Sequence, residues 1–102
     1  MYKVLVLYGK PADPDHFKNY YLDKHLPLAS TLPGLKSSRY TFNVSGEGED
    51  APYFCIWEGE FEDGPSCGAA MQSEIGQKVA ADVANYATGG HQVVHYPLET
   101  FA

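Results

Sequence analysis

The stretch Phe17-Lys-Asn-Tyr-Tyr-Leu-Asp-Lys-His25-Leu-Pro-Leu-Ala-Ser-Thr-Leu-Pro-Gly-Leu35 reads as one amphipathic helix that ends in a histidine, a proline and a second short turn. Asp13 before Pro14 supplies an N-cap and the residue best suited to the first helical position. Asp15 adds negative charge to the first turn, where the helix dipole favours it. Phe17, Tyr21 and His25 are spaced i, i+4, i+8, and at about 100° per residue they share one face. Tyr20 and Lys24 flank that stripe, while Lys18, Asn19 and Asp23 are left for water. Pro27 has no N–H and disfavours helical angles at Leu26, so the helix is expected to stop or kink around His25. A titratable ring thus stands at the end of an otherwise apolar face, where the backbone changes course.

Outward from this helix the chain alternates strand and helix patterns. Residues 2–8 form a β-branched and aliphatic run of strand length that does not alternate, so both of its faces need cover. After the helix, Leu32-Pro-Gly-Leu35 signals a stop and a turn. Residues 36–44 read as a second strand, with Ser38, Tyr40, Phe42 and Val44 on one side and Arg39, Thr41 and Asn43 on the other. The polar, glycine-bearing stretch 45–50 is expected to be an exposed, mobile loop. Residues 53–61 read as a third strand, antiparallel to the second, with Tyr53, Cys55, Trp57, Gly59 and Phe61 on one face. Asp63-Gly-Pro-Ser66 opens a second amphipathic helix running to Ala81, with Cys67, Met71, Ile75 and Val79 as its stripe. Asp82 reads as a cap for a short further turn through Tyr86, ended by Gly89 and Gly90. Residues 91–96 form the fourth strand.

The order β-α-β-β-α-β is the split βαβ, ferredoxin-like arrangement: an α+β fold with both helices on one face of an antiparallel sheet. The other face is bare in a protomer. Expected to be rich in apolar and aromatic side chains, it calls for a symmetric homodimer with sheets facing each other. A pocket between the sheet and its helices, or between the two sheets, lined by tyrosine, phenylalanine and a few polar groups, has the make-up of a small-molecule site.

Composition narrows the classes further. A chain of 102 residues reads as a single domain, residues 1–102. Aromatics reach 14%, eight of them tyrosines, which suit surfaces that are apolar but need one polar end. A net charge of −6 argues against nucleic-acid partners, which need clustered Lys and Arg. No apolar run approaches the ~20 residues of a membrane span. Strand sequence from Tyr2 leaves no room for a signal peptide, so a cytoplasmic location with reduced Cys55 and Cys67 is expected. His91 and His95 share a strand face but stand ~13 Å apart, too far to chelate one metal ion, and no metal motif is read.

Val4-Leu-Val-Leu-Tyr8, Pro11, Phe17, Tyr20-Tyr21, His25-Leu-Pro-Leu28 and Leu32-Pro-Gly-Leu35 together resemble the EthD family, named for a protein of the ethyl tert-butyl ether degradation system. That resemblance implies a dimeric α+β barrel. It also implies kinship with muconolactone-type isomerases, cofactor-independent polyketide cyclases and monooxygenases, and more distantly with haem enzymes. Some lactone-handling relatives use a histidine at the matching helix end, a tyrosine from the second strand and a cysteine from the third. His25 and Tyr40 stand for the first two here, whereas Gly59 occupies the position aligned with the cysteine.

The residues therefore carry two kinds of reading. His25, with an ordinary pKa near 6.5, suits a general acid or base; equally, a helix-end histidine can satisfy backbone carbonyls and pack on Tyr21. Tyr40 can polarise a substrate oxygen, or be an inward strand aromatic. Tyr21, Phe42 and Trp57 can wall an apolar ligand, or be plain core. The resulting expectation is an EthD-like homodimer that binds a small apolar or aromatic metabolite, with possible cofactor-free proton transfer at His25. Its alternative is a non-catalytic ligand carrier or accessory subunit of a degradation pathway.

Overall fold

The computed structural model describes residues 1–48 and 50–102. The elements run β1 (Tyr2–Tyr8), α1 (Pro14–Tyr20), a π turn (Tyr21–His25), α2 (Leu26–Ala29), β2 (Ser37–Thr41), β3 (Cys55–Phe61), α3 (Gly64–Gln72), α4 (Glu74–Asp82), a 3-10 turn (Val83–Asn85) and β4 (His91–Pro97). The four strands pair in the order β2-β3-β1-β4, antiparallel throughout. This is the ferredoxin-like α+β fold. No helix among the described residues is long and apolar enough to cross a membrane.

Register assigns each strand residue to a side. Tyr8 faces Cys55 across one seam and His91 across the other; Val4 faces Gly59 and His95. On β3 the alternation is complete: Cys55, Trp57, Gly59 and Phe61 are all buried under the helices, and the residues between them are half-buried. The core on that side divides into two clusters. One gathers Val4, Leu32, Trp57, Phe61, Cys67 and Ala70; the other gathers Tyr8, Phe17, Tyr21, Cys55 and Tyr86.

The opposite side of the sheet is less greasy than the sequence suggests. The register that buries Trp57 puts Leu5, Leu7, Ile56, Val94 and Tyr96 on the bare side. With them lies Lys3, whose Nζ bridges Glu58 at 2.9 Å and Glu60 at 3.0 Å. The aromatic residues Tyr40 and Trp57, paired across β2 and β3, face the helices instead.

Several local expectations need correction. Leu26 keeps helical angles (φ −61°, ψ −43°), so Pro27 does not end the helix. Instead the turn before it widens: the Leu26 N–H donates to the Tyr21 carbonyl, five residues back. A proline in a tight helix would crowd the carbonyl four residues earlier, here that of Asp23, and the wider turn relieves that clash. The second strand is shorter than 36–44, and the third starts at Cys55 rather than Tyr53. The polar stretch 45–50 includes residue 49, outside the described residues, and its mobility with it.

The helix expected to run to Ala81 breaks at Ser73, whose extended backbone (ψ 163°) turns a corner. Ser73 Oγ accepts from the Gly76 N–H at 3.0 Å and donates to the Ala70 carbonyl at 2.6 Å, which fastens both helix ends. A Cβ on Gly76 would come within 2.2 Å of that carbonyl, so only glycine permits the crossing. Asp82 makes no capping hydrogen bond to the turn that follows it. Its carboxylate is used elsewhere.

Candidate functional site

The π turn rotates the end of the first helix so that His25 is directed inward, 4% exposed, beside Tyr21 and Tyr86. Its ring stacks on Tyr21 at 5.4 Å and lies 4.7 Å from Tyr86. Its Nδ1 is 3.0 Å from Asp82 Oδ2 at the far end of α4. An ionised carboxylate only accepts, so Nδ1 carries the proton and donates it to Asp82. Nε2 has no hydrogen-bond partner among the described residues and keeps its lone pair.

Asp82 is itself held from three directions. The Tyr20 hydroxyl donates to Oδ1 at 2.6 Å, and Asn85 Nδ2 donates to the same oxygen at 2.9 Å. Asn85 also donates to the Tyr20 hydroxyl oxygen at 3.2 Å, and the His16 ring Nε2 bonds the Asn85 carbonyl at 3.0 Å. The result is a histidine–carboxylate pair whose orientation is fixed by side chains from α1 and from the 3-10 turn.

Electrostatics sets the charge states. Burial pushes the His25 pKa below its ordinary value near 6.5, and the bond and charge of Asp82 oppose this only in part. For Asp82, burial pulls upward, but donation from Tyr20, Asn85 and His25 together hold its carboxyl below the ordinary value near 3.8. At neutral pH the pair is therefore a neutral imidazole on an ionised carboxylate. The consequence for stability has one sign. As pH falls below about 6.5, the unfolded chain binds a proton at residue 25 that the folded chain does not, so stability drops. A further loss follows once pH falls below about 3.8, where unfolded Asp82 is protonated first.

Next to this pair lies a phenol cluster. Tyr8 and Tyr86 share a hydrogen bond at 2.7 Å. Burial pushes the Tyr8 hydroxyl and the Cys55 thiol up to about 12, so neither is a nucleophile near neutrality. The Tyr21 hydroxyl is buried against the Tyr8 hydroxyl and the Cys55 thiol without a well-formed hydrogen bond among the described residues, and burial raises its pKa far above the ordinary phenol value.

Four of the residues singled out from sequence come together. The Tyr21 ring, stacked on His25, lies 6.2 Å from Tyr40 and 5.9 Å from Phe42. Tyr40 is 46% exposed. Phe42 borders a surface hollow of about 360 Å³ with Lys10 and Tyr53. Trp57 stands apart from Phe42, in the other core cluster. It walls a cavity of about 130 Å³ between sheet and helices, together with Val4, Val6, Leu32, Val79 and Val83. His25 does not line this cavity, although Ala29 and Val83, which adjoin the pair along the chain, do.

Gly59 explains why no cysteine stands in that part of β3. A Cβ there would approach the Trp57 ring to 2.4 Å, because the indole lies across the glycine. The space beside Gly59 is filled by the Trp57 indole. Sequence reasoning missed Asp82, Tyr20 and Asn85 as members of the site. The i, i+3 spacing of Asp82 and Asn85 was available as a signal, since it places both on one side of a helical turn.

Comparison with known proteins agrees with this architecture. Residues 10–90 match the EthD domain. An uncharacterised 11.0 kDa protein from the thcB–thcC intergenic region of Rhodococcus erythropolis is 36% identical over 100 residues, covering 98% of this chain and 97% of that protein. The crystal structure of an ethyl tert-butyl ether degradation (EthD) family protein from Bacillus halodurans superposes with a TM-score of 0.90 at 24% identity, covering 97% of this chain and 99% of that one. A dimeric ferredoxin-like protein of unknown function from Thermobifida fusca superposes with a TM-score of 0.72 at 14% identity, covering 95% of this chain and 90% of that one. On the span of residues matched and the identity to its relative, this chain belongs to the EthD family.

Proposed function

We propose that the protein is a cytoplasmic homodimer that binds a small apolar or aromatic metabolite near His25 and moves a proton on it without a cofactor, with His25 as the base. One observation carries this reading: the buried His25 donates from Nδ1 to an Asp82 carboxylate that Tyr20 and Asn85 hold in place. A neutral imidazole fixed in that tautomer presents Nε2 as a proton acceptor near neutral pH. Tyr40, half-exposed beside the Tyr21 ring, supplies a hydroxyl to polarise a carbonyl oxygen. Isomerisation, cyclisation and cofactor-free oxidation each begin with loss of a proton beside a carbonyl.

The dimer is supported by the bare side of the sheet, where Leu5, Leu7, Ile56, Val94 and Tyr96 surround the Lys3 ion pairs. Two copies meeting there would bury the apolar residues, and the Thermobifida fusca neighbour is described as dimeric. The cytoplasmic location is supported by the free cysteines Cys55 and Cys67.

A second reading, a non-catalytic ligand carrier or accessory subunit of a degradation pathway, is favoured by one fact: the cavity beside Trp57 is almost wholly apolar and does not include His25. Acetophenone in D2O separates the two. Loss of its methyl proton signal, followed by NMR, at least a hundredfold faster than in buffer supports proton transfer. An unchanged methyl signal with saturable quenching of Trp57 emission supports the carrier. Neither response contradicts both.

A further inference from the structure

The cavity beside Trp57 does not end at its own wall. A second hollow, of about 200 Å³, lies along the same strand edge and is bordered by Tyr2, Cys67, Gly68, Gln72 and His95. The two share Val4, Met71 and Val93 as walls. Register explains the alignment: His91, Val93 and His95 oppose Tyr8, Val6 and Val4, so all three lie on the helix side of β4. From His91 to His95 the strand advances ~13 Å. Val93 is 51% exposed and Met71 is also open to solvent, so the strip between them is apolar and uncovered. Met71, with its flexible thioether, can move to join the two spaces.

The chemistry along this line is uneven. Among the described residues, neither hollow is bordered by Lys, Arg, Asp or Glu. A charged head group would lose its water there without finding a counter-ion, which is costly. The polar groups of the outer hollow are the Tyr2 hydroxyl and His95 Nδ1, which bond each other at 2.5 Å, and the Gln72 side chain.

Resting on the reading of the helix–sheet cavity as a ligand site, we propose that its ligand is a neutral, elongated apolar molecule. It lies along β4, with an alcohol or ketone oxygen at the Tyr2–His95 end and its apolar body reaching Trp57. The overall charge of −6 works in the same direction, against carboxylates.

Two features make this testable without knowing the natural ligand. Trp57 is the only tryptophan and forms part of the inner wall. Gly68 on α3 borders the outer hollow, and a Cβ there would meet nothing within 4 Å. Gly68→Phe, whose Cβ meets no neighbour, is the variant chosen to block the outer hollow, and circular dichroism melting checks that the fold is kept. Trp57 emission is titrated with 1-decanol, decanoate and acetophenone. The expected result is a saturable response to 1-decanol at least tenfold tighter than to decanoate, weakened at least tenfold by Gly68→Phe and about fivefold by Tyr2→Phe. Decanoate binding as tightly as 1-decanol, or Gly68→Phe leaving 1-decanol binding unchanged, overturns the proposal. A response to acetophenone with none to 1-decanol overturns the elongated ligand while leaving the cavity as a ligand site. Silence to all three overturns both.

Discussion

The His25→Ala protein is expected to exchange the methyl protons of acetophenone about 10²–10⁴ times more slowly than the wild type, the usual contribution of a positioned general base. The wild-type arrangement explains the size of the effect. Asp82 accepts from Nδ1, so the proton-accepting lone pair is confined to Nε2, and burial keeps the ring neutral at pH 7. Asp82→Asn preserves the shape of the carboxylate but adds an amide donor. It would donate to Nδ1, move the ring proton to Nε2 and remove the base, so a loss of similar order is expected. The two substitutions act on one unit, and the double variant should be no slower than His25→Ala alone. If Asp82→Asn retains wild-type exchange, the carboxylate does not set the tautomer. Urea unfolding alongside the kinetics separates lost chemistry from lost fold.

Phe17→Ala is expected to be the most damaging single truncation for stability. Phe17 is wholly buried in the aromatic cluster, with ring centroids at 4.9 Å from Tyr86, 5.0 Å from Phe54, and 5.3 Å from both Tyr8 and Tyr21. Those neighbours hang from the π turn, β1, the segment just before β3 and the end of the 3-10 turn, so the cavity left behind has no single element able to collapse into it. The expected cost is about 3–5 kcal/mol. For a chain of this size that lowers Tm by on the order of 20 °C. Phe17→Leu, which keeps most of the volume, should cost well under half as much. A loss below about 1 kcal/mol for Phe17→Ala would mean that the cluster is loosely packed. The position of His25, which leans on Tyr21 and Tyr86, would then need another explanation.

Much of this was legible in the sequence wherever a regular period met a regular element. The i, i+4, i+8 stripe of Phe17, Tyr21 and His25 does become one buried face, and the alternation in β3 does bury Cys55, Trp57, Gly59 and Phe61 together. Strand order follows from the β-α-β-β-α-β sequence. What failed was local exception and distant contact. The proline rule predicts a stop or kink around His25 with Leu26 out of helical angles; the irregularity does fall there, but as a widened turn that leaves Leu26 helical. The corner at Ser73 depends on Gly76 passing against the Ala70 carbonyl, a close approach between two helices that no period encodes. Asp82 reads locally as a cap. Its partners Tyr20 and His25 are about sixty residues away along the chain, and only packing of the 3-10 turn region against the first helix brings them together. A carboxylate's identity could be read; its partner could not.

Nitrogen-15 NMR of the His25 ring, followed from pH 8 to pH 4, decides whether a base is held ready by Asp82. The expected spectrum shows a neutral ring at pH 7 with its proton on Nδ1, taking up a second proton only below about 6.5. A ring protonated on Nε2 at pH 7, or already cationic there, would contradict it.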